Sequence, residues 1–326
     1  MQEDKKQVVC IIPPGVHLLD ITGPAQIFFE AQCNGAPVRL YFCSIFPEKT
    51  ESESSCSLYF NRLTPYDQLE LRKGDLVILP GMDYKLLSNG EFLASTLEFQ
   101  GWLKTQHNKE VVLCSVCIGA FLLAEAGLLN ERDCTTHWEF TDRLKQRYPR
   151  VRMQTNRLFV EQGEIYTSAG IASGIDLSLY LVEKFWGGHF AAKIAKEAVI
   201  YFRRTPDDPQ LNVFTQYRNH IDNRIHEVQD LLSQSLDKKF SIEDLSEKAN
   251  MSPRNLTRLF KKTTQVTIGV YLGRLRAAHA QKLIAEGHTL QAAALHCGLK
   301  SVNQLRFLLK QYGVQADETG GSGQVT

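Results

Sequence analysis

The sequence predicts an α/β domain built on a doubly wound, mostly parallel sheet, followed by an all-α domain with two helix-turn-helix units. As far as residue 202, short apolar runs alternate with runs of helical spacing, which is the pattern of βαβ units and a parallel sheet. From Arg218 onward no strand pattern remains, and the chain is predicted to form helices only. The length of 326 residues also indicates two domains rather than one.

The strands of the first domain are predicted where short apolar runs occur. They cover residues 7–14, 38–45, 75–80 and 111–115, with a hairpin around Gln162 and Gly163 in the alternating run 151–167. Residues 18–24 are predicted to form a loop and 25–33 a helix, because Pro24 suits a first helical turn, where its missing N–H has no partner. Residues 47–57 are predicted to form a polar surface loop. The other helices are predicted over 91–107, 120–126, 139–147, 174–186 and 190–202.

The strand over 111–115 breaks at once into a helix, with Cys117 on the corner between them. Gly119 lets the backbone approach closely where the chain turns, and Gly127 ends the helix. Open α/β sheets bind their ligands at the carboxyl edge of the strands, where such a corner lies. Cys117 is therefore a candidate nucleophile or ligand contact.

Residues 203–210 contain two prolines and four charged side chains, and this composition predicts a linker. The first domain is placed at 1–204, the linker at 205–217, the helical domain at 218–316 and a disordered tail at 317–326. Ser241 with Asp244 forms a capping box, and Ser252 precedes a proline at a first helical position. The helices of the second domain are predicted over 221–235, 242–249, 253–263, 268–285, 290–297 and 302–312.

Two pairs of these helices have the spacing of helix-turn-helix units. The first pair turns at Asn250 and Met251, and the second pair turns at Gly298 and Leu299. Arg and Asn read guanine and adenine edges in the major groove, while Lys mostly contacts phosphate. The candidate DNA-binding residues are Arg254, Asn255, Thr257, Arg258, Lys261 and Lys262 in the first unit and Ser301, Asn303, Gln304 and Arg306 in the second.

The net charge of +1 conceals a strong asymmetry. Between Asn250 and Gly313 ten basic side chains stand against one acidic side chain, which gives this segment +9 and leaves −8 for the rest. A basic block beside an acidic body indicates a nucleic-acid partner. A solvated helical face or a helical dimerisation domain is the alternative, and the duplicated unit and the helix caps disfavour it.

Composition argues against several other classes of protein. Eight cysteines are sparse, and several lie in apolar runs, so reduced core thiols are expected rather than disulfides. Cys114 and Cys117 have no matching histidine pair, so no metal site and no cofactor are predicted. The charged N-terminus has no signal-peptide pattern, and no run of about 18 apolar residues occurs, so we expect a cytoplasmic protein without a membrane span.

The C-terminal part resembles the DNA-binding domain of AraC/XylS-type transcription regulators. The similarity lies in residues 240–245, 249–261, 271–272, 274–278 and 297–299. In its second unit this family usually has an aromatic residue after the turn glycine and Arg-x-Phe later in the helix. Here Leu299, Phe307 and Leu309 take those places. The resemblance therefore implies stronger base contacts by the first unit than by the second.

The N-terminal part resembles the PfpI-like group of the class I glutamine amidotransferase-like superfamily, which implies a flavodoxin-like fold. The matching motifs are residues 19–24, 79–81, 117–120 with 123–129, 136–138 and 168–170. With Arg203 and Arg204 at the exit, their order is that of the GlxA-type regulators, which join both domains in this order. The resemblance spans nearly the whole chain.

The resemblance also implies a site around Cys117. In PfpI-like proteases a histidine directly follows the nucleophilic cysteine, and Ile118 at that place argues against protease chemistry. Asp20 aligns with an acid near the nucleophile of isonitrile-hydrating relatives, and Gly81 can donate a backbone N–H. His17 is expected to be an ordinary packing or surface residue. The candidate ligand-binding residues are Cys117, Ile118, Asp20, Gly81, Met82 and His137.

The sequence is compatible with two functions. The resemblance implies a transcription regulator whose PfpI-like domain forms a homodimer and binds a small nitrogen-containing or carbonyl effector. Its AraC-type domain would bind promoter DNA, with RNA polymerase as a further candidate partner. The alternative is a thiol-dependent enzyme, hydratase- or amidase-like, that uses Cys117 as nucleophile with Asp20 and His137.

Overall fold

A computed structural model describes residues 5–200, 203–206, 210, 216–218, 220–285 and 287–312. The chain forms two compact units, residues 1–210 and 211–326. The predicted tail over 317–326 and most of the predicted linker over 205–217 lie outside the described residues. Among the described helices, none combines the length and the apolar character that crossing a bilayer requires.

A six-stranded sheet forms the centre of the first unit, as predicted. Its strands lie in the order β2-β1-β5-β6-β10-β9, and only the pair β10–β9 is antiparallel. All four residues of β5 and all five of β6 are buried, as expected for strands covered on both faces. The sheet strands are β1 (Lys6–Ile12), β2 (Val38–Ser44), β5 (Leu76–Leu79), β6 (Val112–Val116), β9 (Phe159–Gln162) and β10 (Ile165–Ser168).

Helices cover both faces of this sheet, and two short strand pairs lie outside it. The pairs are β3 (Glu51–Glu53) with β4 (Tyr59–Asn61) and β7 (Asp133–Cys134) with β8 (Arg152–Met153). The helices are α1 (Leu18–Cys33), α2 (Tyr84–Leu87), α3 (Gly90–Ser95), α4 (Leu97–Asn108), α5 (Ala120–Glu125), α6 (Thr141–Arg147), α7 (Ile171–Trp186) and α8 (Gly188–Glu197).

The start of α1 corrects the sequence prediction. The predicted loop over 18–24 is helical, and Pro24 lies inside the helix instead of in its first turn. A proline there removes one hydrogen bond to the carbonyl four residues earlier, that of Asp20, and packing of the buried face outweighs this loss. Asp20 therefore belongs to the first helical turn and is fully buried.

Other predicted boundaries also differ from the structure, among them the end of the helix predicted over 190–202, because α8 ends at Glu197. The polar segment 47–57 contains strand β3, which pairs with β4. The single helix predicted over 91–107 is two helices, because the chain breaks at Thr96, whose hydroxyl donates to the carbonyl oxygen of Leu93. Helix α7 begins at Ile171, three residues before the predicted start at Gly174.

The second unit is helical throughout its described residues. Its six long helices lie within two residues of the predicted bounds, and the capping box of Ser241 and the N-cap of Ser252 both form. Two apolar clusters fill it, one around Phe260 and Tyr271 and one around Leu305. The helices are α9 (Asn223–Gln234), α10 (Ile242–Lys248), α11 (Pro253–Thr264), α12 (Ile268–Ala285), α13 (Leu290–His296) and α14 (Val302–Tyr312).

The predicted linker begins against the first unit. Arg204 donates from Nε to the Asp176 carboxylate at 2.9 Å, which fixes the chain where it leaves α8. Gln210, six residues beyond the predicted boundary, donates to Thr135 Oγ1 and to the carbonyl oxygen of Thr136, each at 3.0 Å. The compact unit therefore extends to Gln210.

Candidate effector pocket and DNA-binding helices

Cys117 lies on a strained corner at the carboxyl edge of the sheet. Its φ is +57°, a conformation that side chains other than glycine rarely adopt. A Cβ at residue 119 would lie 2.2 Å from the carbonyl oxygen of Leu79, so only glycine allows this approach of the turn to the end of β5. The Cys117 side chain is thereby held at the pocket and is 6% exposed.

Asp20, in the first turn of α1, and Gly81, just after β5, both lie beside the cysteine. The Gly81 N–H donates to Asp20 Oδ2 at 3.2 Å, and a Cβ at residue 81 would lie 2.4 Å from that oxygen and 3.1 Å from Cys117 Cβ. Asp20 Oδ1 is buried and has no hydrogen-bond partner among the described residues. Asp20 therefore has one carboxylate oxygen without a geometric hydrogen-bond partner, and the Cys117 thiol is the donor that lies beside this carboxylate.

His17 completes this group, although it was predicted to be an ordinary packing or surface residue. Its Nδ1 lies 3.5 Å from Asp20 Oδ2, and its side chain is 36% exposed. The predicted loop over 18–24 concealed the relation, because His17 and Asp20 share one face only if the helix begins at Leu18. A histidine three residues before an acid at a helix start is the signal that could have identified it.

The surroundings of the Cys117 thiol oppose its ionisation. Burial raises its pKa well above the ordinary range, and the negative charge of Asp20 raises it further, against a smaller opposite effect of the Ile118 N–H. A cysteine nucleophile needs the thiolate form at working pH. This geometry keeps the thiol protonated, which is the opposite of what nucleophilic catalysis requires.

His137 lies on the other side of the thiol. A Cβ at Gly170 would lie 3.1 Å from the His137 ring and 3.9 Å from Cys117 Sγ, so both groups border residue 170. Burial lowers the pKa of His137, which favours the neutral ring at pH 7. Its Nδ1 accepts the Glu139 N–H at 3.4 Å, so the proton of the neutral ring lies on Nε2.

The side chains of two other predicted contacts are packed in the core of the first unit. The side chains of Ile118 and Met82 are 1% and 0% exposed and belong to the apolar core. The Ile118 N–H, by contrast, faces the thiol. Ile118 therefore contributes a donor rather than an apolar wall.

The same pocket holds donor atoms of three types. The ligating atoms of His17, Asp20 and Cys117 lie within 4.8 Å of one another. Imidazole, carboxylate and thiolate are the groups that bind zinc and related cations. The sequence predicted no metal site, and this set is the part of the described chain that could hold one.

In the second unit, α11 presents a basic face. Leu256 and Phe260 are fully buried, and all six predicted contact residues on the helix are exposed. No ion pair or side-chain hydrogen bond within the described structure engages Arg254, Arg258, Lys261 or Lys262. Thr257 differs, because its hydroxyl donates back to the carbonyl oxygen of Pro253 at 3.0 Å.

The corresponding helix α14 is less basic. Asn303, Gln304 and Arg306 are exposed, whereas Ser301 is half-buried and caps the helix by accepting the Gln304 N–H at 3.3 Å. The Gln304 Oε1 accepts the Lys300 N–H at 2.8 Å, so this side chain is partly used in the helix start. Asn303 and Arg306 remain the free polar candidates of this helix.

Two arginines of the basic segment make hydrogen bonds within the second unit and are not available to contact DNA. Arg276 donates from Nε to the carbonyl oxygen of Leu236 at 3.0 Å and from Nη2 to that of Lys238 at 2.8 Å. Arg274 hydrogen-bonds to the Tyr217 hydroxyl. The charge available for DNA is therefore smaller than the count of basic residues suggests.

Each of the two units matches a known protein family or domain. Residues 6–184 match the model of the DJ-1/PfpI family, and residues 245–318 match a helix-turn-helix domain. The chain is 29% identical over 237 residues to the HTH-type transcriptional regulator GbdR of Pseudomonas aeruginosa, covering 72% of this chain and 64% of that one. It is 27% identical over 168 residues to the HTH-type transcriptional regulator GlxA of Rhizobium meliloti, covering 52% of each.

A solved structure supports the fold of the first unit. A ThiJ/PfpI family protein from Pseudomonas syringae superposes with a TM-score of 0.51 at 20% identity, covering 76% of this chain and 89% of that one. The family model covers more than half of the chain, and the similarity to the GlxA-type regulators inferred from the motifs is confirmed. The chain belongs to the DJ-1/PfpI family and carries a helix-turn-helix domain after its DJ-1/PfpI domain.

Proposed function

We propose that this protein is a sequence-specific DNA-binding transcription regulator of the AraC type. The observation that carries the proposal is α11, whose exposed face holds four cationic side chains without partners in the described structure. Unpaired cations on a recognition helix are the groups that neutralise phosphates and read base edges. The regulators GbdR and GlxA, to which the chain is similar, support the same assignment.

The pocket around Cys117 suits a bound effector better than a catalytic thiol. Its thiol is held neutral, and Asp20 Oδ1 is an unfilled acceptor in a buried position. A buried acceptor without a partner costs about 1–3 kcal/mol, which a ligand with an N–H or O–H donor recovers. The effector is therefore proposed to be a small metabolite that presents an N–H or O–H donor to Asp20, and its nitrogen-containing or carbonyl character is what the resemblance implies.

A homodimer through the first unit follows from the exposed face of α1. Leu19, Thr22, Gln26, Phe29 and Cys33 are exposed at alternating spacings of three and four residues, which is the spacing of a helix–helix seam. Leu19 and Phe29 are 57% and 48% exposed. Two copies related by a twofold axis would bury the same stripe on each other.

The alternative function is a thiol enzyme that uses Cys117 with Asp20 and His137. One observation favours it: the strained φ of +57° at Cys117 is the conformation that exposes a nucleophile on a strand-to-helix corner. The raised pKa of the thiol opposes it. Thiol reactivity distinguishes the two functions.

The first prediction concerns DNA. Replacing Arg254 and Arg258 together by alanine should weaken binding to a duplex from the gene's own upstream region by at least about tenfold. Each lost phosphate contact should also lower the slope of log affinity against log salt by about one. Fluorescence anisotropy over a salt series measures both quantities.

The matched control removes two charges elsewhere. Lys104 and Lys109 are exposed in the first unit, and their double alanine variant should bind as wild type does. Equal affinity of the Arg254→Ala/Arg258→Ala variant and wild type would remove the basis for the DNA-binding assignment.

The second prediction concerns the thiol. At pH 8 iodoacetamide should modify Cys117 at least about tenfold more slowly than exposed Cys56, because the rate follows the thiolate fraction. The pH at which the Cys117 rate rises should lie above that of Cys56, and Asp20→Asn should lower it. Peptide mass spectrometry follows each site. Faster labelling of Cys117 than of Cys56 would favour the enzyme.

The third prediction concerns the effector. A fraction of cell metabolites that contains it should raise the melting temperature of the full chain, since ligand at a hundredfold its Kd stabilises by about 2.7 kcal/mol. Cys117→Ser and Asp20→Asn should lose most of that shift, and Cys56→Ser should keep it. Equal shifts in all four proteins would place the ligand elsewhere.

The fourth prediction concerns assembly. Leu19→Glu with Phe29→Glu should convert a dimer to a monomer, because two carboxylates would be buried at the seam without partners. Light scattering after size-exclusion chromatography gives the mass. Leu97→Glu, which changes a residue 64% exposed on α4, is the control and should remain dimeric. A double variant that stays dimeric would exclude this face of α1.

A further inference from the structure

The two recognition helices can be aligned by their N-caps. Ser252 caps α11, and Ser301 occupies the same position before α14. Counting from these serines, the buried Leu256 corresponds to Leu305, and the candidate base reader Arg258 corresponds to Phe307. Arg258 lies six residues after Ser252, and Phe307 lies six residues after Ser301. Phe307 therefore occupies the position at which the first unit has an exposed arginine.

Phe307 is exposed at the centre of the outer face of α14. Its side chain is 68% exposed, while Leu305, on the opposite side of the helix, is fully buried. Asn303 lies four residues before it and Lys310 three residues after it, so both share its face. This face is the one that α14 would present to the major groove if it enters the groove as α11 does.

We propose that Phe307 is a specificity-determining residue that contacts the 5-methyl group of thymine in the half-site read by the second helix-turn-helix unit. This inference rests on the proposed DNA-binding function. In the major groove, the thymine methyl is the apolar group that distinguishes this base, and phenylalanine is one of the side chains that contact it. The exposed ring of Phe307 would thus favour thymine, whereas an arginine at the same position would favour guanine.

The residues near Phe307 favour DNA, rather than a protein, as the molecule that contacts this side chain. Arg306 precedes it directly, Lys310 shares its face, and Lys239 and Lys300 line the groove beside it. Asn303, Arg306 and Lys310 are exposed polar residues of the same helix. The cationic side chains near Phe307 would contact backbone phosphates, while the ring itself would contact the methyl group of thymine.

The test compares thymine with uracil, which differs only in lacking the methyl group. The full-length protein is used to select its preferred duplex from a random pool, and each thymine of that duplex is then replaced singly by uracil. At one or two positions of the half-site read by α14, wild type should lose about fourfold in affinity, the value of one buried methyl group. Phe307→Ala should bind the thymine and uracil duplexes equally at those positions.

Two comparisons make the outcome specific. Leu295→Ala, which removes a side chain 73% exposed on α13, should keep the full sensitivity to uracil. Uracil effects in the half-site read by α11 should be unchanged by Phe307→Ala. The inference is overturned if wild type and Phe307→Ala respond alike to every uracil, or if Phe307→Ala alters only binding of RNA polymerase.

The experiment distinguishes failure of the proposed DNA-binding function from failure of the role proposed for Phe307. If no duplex is enriched from the pool and none binds, the proposed DNA-binding function fails. If duplexes bind in an Arg254- and Arg258-dependent way but uracil has no effect that depends on Phe307, the function stands and this inference alone is wrong.

Discussion

The pocket depends on a backbone contact at which no side chain fits. Gly119 approaches the carbonyl oxygen of Leu79 so closely that a Cβ there would lie 2.2 Å away. Because β5 and β6 are parallel neighbours, this contact holds the turn after β6 against the end of β5 and brings Cys117 beside Gly81. The Gly81 N–H in turn orients the carboxylate of Asp20 from α1. The ends of two neighbouring strands and the first turn of α1 thus define one site.

That arrangement also decides the chemistry of the site. A carboxylate that faces a buried thiol makes a second negative charge costly, so the thiol keeps its proton. The corner at Cys117 has the strained backbone conformation that exposes a side chain between a strand and a helix. The charges around it favour the neutral form. The backbone therefore places the thiol on an exposing corner, whereas the burial and charge around it oppose the thiolate form.

Local patterns predicted most of the fold, and tertiary packing decided the rest. The strands around Leu113 and the caps at Ser241 and Ser252 were predictable because their signals lie within a few residues. The start of α1 was wrong because Pro24 usually begins a helix, and burial of a long apolar face overrode that preference. The roles of His17 and Arg276 depend on partners brought near by the fold.

One helix contacts both the pocket and the exit of the first unit. Gly170, which borders the thiol and the His137 ring, is the N-cap of α7. On the second turn of the same helix, buried Asp176 binds Arg204, where the chain leaves the unit. The Asp176 side chain is nearly buried and that of Arg204 only partly, and their ion pair ties the exit of the unit to α7. A single helix therefore joins the surroundings of the thiol to the place where the chain leaves the first unit.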